Sequence, residues 1–432
     1  MKASKARYTV VGYALALAVI MYIQRVAIGA ASVEIKHDLS LNDLQFGAVL
    51  GAFALSYALF EIPGGLLGDK LGPRRMLTQI VIAWSAFTAL TGAAWNLTSM
   101  WVIRFLFGAG EAGCFPNLTK MLSVWLPRAE RVRAQALMWA CTRWGGAITP
   151  LIAVFVMNLV GWRWAFVIFG LLGIIWVASF LPWFKDDPAQ HKSVNEEELK
   201  LLEGARSIGH SKGPGGLAVI FQPQVLVLIG QYFFFSFVWY FYVTWMPAWL
   251  REAHGLTKAV AANYAIVPLF CGGVGSLVSG FLPPAINRRF VALGAMTATA
   301  ILLFCVTKVS SPMAAIALLG AASFCADLTM PISWNTCVEI GRKSTATVAA
   351  TMNMLGNLSG FIAPTLSGII LQNTAGQWDR AIYPHQTTGG NWNYLIYMMV
   401  GGSIICALSW LILDPDRAAR ESAAADLSEA TQ

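Results

Sequence analysis

The sequence predicts an all-α membrane protein of twelve transmembrane helices, arranged as two pseudo-symmetric six-helix bundles. Three observations carry that prediction. The 432 residues are 57% hydrophobic and only 12% charged, with mean hydropathy +0.60, far more apolar than a soluble chain needs to fill a core. Apolar runs of about twenty residues, each long enough to cross the hydrocarbon of a bilayer, recur between short polar loops. With the runs alternating in direction, twenty Lys and Arg fall on the side of the two termini, six on the other and four inside spans. The positive-inside rule then puts both termini in the cytoplasm, with the chain a multi-pass protein of the inner (plasma) membrane.

The basic tail MKASKAR opens the chain. The run behind it has no small-residue cleavage site and reads as a span, not a cleaved signal. Spans 1 and 2 are expected at about 8–30 and 43–66, carrying Tyr22, Gln24 and Arg25, then Tyr57 and Glu61. Spans 3 to 6 follow at about 76–97, 99–124, 134–158 and 162–183. The polar segment 185–222, with EEE at 196–198 and KGPGG at 212–216, reads as a cytoplasmic linker with room for one short amphipathic helix. Spans 7 to 12 are expected at about 224–250, 260–282, 290–309, 312–338, 345–372 and 392–413, and the tail 415–432 is polar. GGAITP in span 5 answers to SGFIAP in span 11, and GWRWAF in span 6 to NWNYLI in span 12. The repeat divides the chain into bundles at 1–184 and 223–414 and places a site near mid-membrane between them.

Several functions have no footing. The seven Cys are scattered singly in apolar runs and the five His lie in loops, so no metal set, cofactor or catalytic nucleophile with a base is visible. No enzyme is expected. The net charge of +8 follows from the basic loops and needs no nucleic acid. The expected partners are the lipid bilayer, a small anion and protons, around a monomer.

The chemistry concentrates in span 4, WVIRFLFGAGEAGCFPNLTKMLSVWLP. Arg104 and Glu111 are seven residues apart, roughly 700° of helix, so they share a face with Gly108 between them. Facing lipid, a charge costs about 2.5–3.5 kcal/mol, so this face looks into a bundle or a wet cavity. Either the pair only pins helices, or Arg104 holds an anion and Glu111 a proton. Arg25 and Arg143 supply two more intramembrane guanidiniums, each able to grip a carboxylate with two hydrogen bonds. Glu61, Glu111 and Asp327 are the carboxylates that could neutralise them. Lys120 is expected to snorkel toward water.

The loop between spans 2 and 3, Gly65-x-x-x-Asp69-Lys70-x-Gly72-x-Arg74-Arg75, resembles the signature of the major facilitator superfamily. Gly65 permits close helix approach, Gly72 a tight turn, and Asp69 can latch onto a basic residue or a helix N-terminus across the two halves. In the second half Pro284 stands where Asp would, so the latch is expected on one side only. A narrower resemblance, to the anion:cation symporter family, rests on Tyr22-x-x-Arg25, Tyr57-x-x-x-Glu61-x-Pro63, Arg104 with Glu111, Phe115-Pro116-Asn117, the DDPAQHKSVNEEE linker and MNMLGNLSG. That family includes bacterial sugar-acid transporters. Resemblance implies proton symport of a small organic anion, such as a hexuronate or aldonate, by alternating access. In span 7 Tyr240 or Tyr242 can reach substrate hydroxyls, and the resemblance implies Tyr240. Ser333, Trp334, Asn353 and Asn357 are further candidates for binding hydroxyls, alongside Tyr22 and Tyr57. The chain departs from the family at Gln24, where many members carry a titratable Asp. Coupling is therefore expected at Glu111, with Asp327 as its rival. Uniport or exchange, or a different carboxylate, are the alternatives.

Overall fold

The computed structural model describes residues 2–210, 216–283, 286–386 and 389–414, and these form helices without strands. In the first half α1 is Ala6–Ala30, followed by the short α2 (Ser32–Asp38), then α3 (Asp43–Leu71) and α4 (Pro73–Thr91). Span 4 is two helices, α5 (Leu97–Glu111) and α6 (Cys114–Trp125), and spans 5 and 6 run on as α7 (Arg128–Trp183). The linker holds α8 (Glu196–His210). The second half comprises α9 (Pro223–Thr244), α10 (Met246–Glu252), α11 (Lys258–Tyr264), α12 (Ile266–Phe281), α13 (Arg288–Val306), α14 (Pro312–Gly341), α15 (Thr345–Asn373) and α16 (Trp392–Ile412).

Helix starts follow local chemistry. Asn42 and Asn96 form capping boxes with Gln45 and Ser99 at the heads of α3 and α5. The reading of span 4 as one helix is corrected: the chain breaks directly after Glu111. Pro116 has no N–H to give the Ala112 carbonyl, and Gly113 takes φ 81°. A Cβ at Gly113 would lie 3.0 Å from the Gly64 backbone, so the break is packed against α3. Gly161, at φ 76°, is the turn between spans 5 and 6. Spans 7 and 8 are also shorter than expected, because α10 and α11 are separate short helices at the end away from the termini.

In the first half α1 and α4 pack on α7, and α3 and α4 on α5; in the second, α9, α12, α13 and α15 pack on α14, and α16 on α13 and α9. The halves meet along α3–α15 and α7–α12. One apolar core joins both halves where the termini lie, through Phe115, Trp139 and Trp334. Toward the other end each half has its own core, around Phe166 and Met157 in one and Trp249 and Trp392 in the other. The linker is tied to the first half: buried Glu198 accepts hydrogen bonds from the Ser4 hydroxyl and the Ala6 and Arg7 amides at the head of α1.

Candidate functional site

At the kink after α5, Glu111 is fully buried, and its Oε1 accepts both Nε (2.8 Å) and Nη2 of Arg25 from α1. Its Oε2 has no hydrogen-bond partner. Arg104 shares the helix face with Glu111 as the spacing requires, yet the ion pair goes to Arg25. Arg104 is 1% exposed, and its Nε and Nη1 have no partner. Phe53 lies beneath both cations, with ring centroid 5.1 Å from the Arg25 guanidinium carbon and 5.6 Å from that of Arg104. Tyr57 and Tyr22 stack on Arg25 at 4.8 and 5.7 Å. Two guanidiniums, one carboxylate and an aromatic platform thus form one buried cluster. A buried cation with unspent N–H groups is costly unless an anion completes it.

From the other half α15 brings Asn353, which donates to Glu61 and, at 3.3 Å, to the Tyr57 hydroxyl. Asn357 accepts from the Tyr240 hydroxyl at 3.2 Å. The face shared by Asn353 and Asn357 therefore meets the Arg25 and Tyr57 cluster. Arg143 is held by Asp327 across the halves, Nε to Oδ2 at 3.1 Å and Nη2 to Oδ1 at 2.9 Å, with Trp239 stacked on the guanidinium. Arg143 and Asp327 are spent on one another. Ser333 donates to Gln231 inside the second half, and Trp334 donates to Tyr232, so both are occupied by packing. Gln24 donates to the Phe169 carbonyl and receives Thr88, facing the interior of its own half. Sequence reading missed Phe53 because one Phe in an apolar run carries no signal.

A second set of contacts between the halves lies at the end that carries the termini. Asp69 caps α15: Oδ2 accepts the Thr347 amide at 2.8 Å and its hydroxyl at 2.6 Å, and Oδ1 the Ala346 amide at 3.2 Å. Carboxylates are favourable at helix N-termini. Lys120 reaches Asp69 Oδ1 at 2.6 Å and the Lys343 carbonyl at 3.3 Å, so it bridges the halves instead of snorkelling. A Cβ at Gly65 would stand 2.5 Å from the Ala346 carbonyl, which makes this crossing specific to glycine. Gly72 turns the chain at φ 82°. The Arg74 amide donates to Asp186 at the start of the linker and its guanidinium to the Leu181 carbonyl of its own half, and Arg75 is exposed. Pro284 falls outside the described residues. A tie of another kind also joins the halves here: Glu339 at the end of α14 meets Arg128 and Arg131 at 3.5 and 3.6 Å.

Residues 14–364 match the family model described as Major Facilitator Superfamily. A probable sulfoacetate transporter of Cupriavidus necator is 32% identical over 87% of this chain and 89% of its own length. A hexuronate transporter of Bacillus subtilis is 26% identical over 86% and 89%, and a D-galactonate transporter of Escherichia coli is 27% identical over 86% and 90%. The fold is that of the solved proton:xylose symporter, with TM-score 0.70 at 12% identity over 93% of this chain and 94% of that one.

Proposed function

The chain belongs to the major facilitator superfamily, and we propose that it imports a small organic anion by proton symport with alternating access. The observation that carries this is Arg104, a buried cation with unspent N–H groups beside the Arg25–Glu111 pair. An anionic group bridging Arg104 and Arg25 would complete both and release Glu111 to take a proton. The neutral amides of Asn353 and Asn357 and the hydroxyl of Tyr240 suit the hydroxyls of a sugar acid such as a hexuronate or aldonate. A small sulfonate is a second reading, favoured by the 32% identical relative, because an arginine fork takes sulfonate as readily as carboxylate. Uptake into proteoliposomes of hexuronate, aldonate, sulfoacetate and a neutral sugar, with and without an inward proton gradient, tests the reading. Uptake of the neutral sugar alone would sink it.

Bundles 1–184 and 223–414 are the moving bodies, with linker and termini in the cytoplasm. The ties at Asp69, Lys120 and Glu339 then close the cytoplasmic end and leave the molecule facing outward. A cysteine placed at 185–222 should react with an impermeant maleimide only after the membrane is opened; labelling of intact cells reverses the orientation. Asp69→Asn weakens the cap on α15, so substrate affinity should hold while transport slows. Loss of binding in parallel with transport would indicate misfolding and remove the switch.

A further inference from the structure

Among the described residues, Glu111, Asp327, Asp69, Glu339 and Glu198 each have an Arg or Lys within 4 Å, and Glu61 has none. Glu61 is 0% exposed in the middle of α3, where α3 crosses α15 between the halves. Its Oε1 accepts the Asn353 amide, and its Oε2 is buried without a partner. The groups around it are Tyr57 on its own helix, Arg25 on α1, Tyr232 and Tyr240 on α9, and the neutral amides of Asn353 and Asn357 on α15, with Glu111 of α5 facing Tyr57. Arg25 is the near cation, and its Nε and Nη2 are turned onto Glu111. A charged carboxylate that meets only neutral groups at close range is strongly disfavoured in such a place. Every other acid at the interface has its charge answered by a base; the remaining way to answer this one is a proton.

We infer that Glu61 carries a proton while α3 and α15 are in contact and gives it up when they part, so that it sets the balance between conformations instead of the grip on the anion. The inference rests on the alternating-access reading above. Glu61 lies ten residues before the end of α3 at Leu71, and Asn353 eight residues into α15. That places the contact about 12–15 Å inside the end that carries the termini. Separation at that end wets Glu61 from that side. The O–H bond breaks, the proton passes to water, and the carboxylate is hydrated. Closing again requires the proton back, so acid on that side favours the closed form and alkali the parted one.

Two measurements on the full-length protein in lipid nanodiscs test it. Infrared difference spectra of wild type against Glu61→Gln at neutral pH should show the C=O stretch of one protonated carboxylic acid, lost in the variant. Spin labels on exposed Gln79 and Phe290, one on each half, should report a parted population that grows with pH in substrate-free wild type. Glu61→Gln should stay closed across that range, and Glu61→Asp should keep the pH response. Should Glu61→Gln fail to fold, Asn353→Ala keeps the acid but loosens the contact, and should enlarge the parted population and weaken the infrared band. Identical spectra, or the same pH response in wild type and Glu61→Gln, overturn the inference. Failure of the carrier reading is distinct: wild type would then take up none of the anions, whatever Glu61 does.

Discussion

Arg104→Ala is expected to abolish anion uptake while leaving the amount of folded protein in the membrane close to wild type. The second half of that statement follows from the first. Arg104 is buried with Nε and Nη1 unpartnered, so in the empty protein its charge is a burden on the fold. Its compensation comes from the anion, together with the rings of Phe53 and Phe107. Removing the guanidinium forfeits charge-assisted hydrogen bonds of about 1.5–3 kcal/mol, at least tenfold in affinity. Arg104→Lys keeps charge but not the fork, and should bind more weakly than wild type and better than alanine. Arg25→Ala should be equally inactive, with Glu111 left to take a proton in place of its lost partner. Radiolabelled uptake, read against the amount of monodisperse protein, decides the matter. Normal transport by both alanine variants would make the arginines structural.

The sequence read the helical membrane fold well because each span must satisfy its backbone internally and hide it from lipid, which leaves long apolar runs whatever the packing. Arg104 and Glu111 were legible as one face because helical phase is local. The partner of Glu111 was not. Pairing depends on which neighbouring helix reaches the face, and Arg25 arrives from α1 across 86 residues of sequence. Asp327 illustrates the same limit. A carboxylate in span 10 reads as a free proton site until the crossing of α7 and α14 sets Arg143 against it. The break at Ala112 and Gly113 had a local signal in Pro116, three residues on, but the apolar run outweighed it. Asp69 was the opposite case: its motif names both kinds of partner, and both are present.

Glu111→Gln is expected to remove the proton dependence of uptake while substrate-for-substrate exchange survives. Glu111 presents one oxygen to Arg25 and leaves the other buried and bare. An anionic group from the substrate is a second claimant for Arg25, and Arg104 draws it to the same cluster. As the substrate takes the guanidinium, Glu111 loses its counter-charge in a place closed to water, and a proton on Oε2 is the cheapest replacement. Anion and proton therefore favour each other's binding, and by linkage each must raise the other's affinity by the same factor. Glutamine mimics the protonated acid. It can still hold the position but has nothing to release, so net uptake should no longer follow the proton gradient. Exchange needs no net proton movement and should persist. Gln24 cannot stand in, because an amide does not titrate and it is tied to Phe169 within its own half. Asp327→Asn is the control: with Arg143 then uncompensated, it should damage transport without cancelling the proton dependence of whatever uptake remains. Proton-driven uptake by Glu111→Gln, with an uncoupled Asp327→Asn, would move the coupling site to α14.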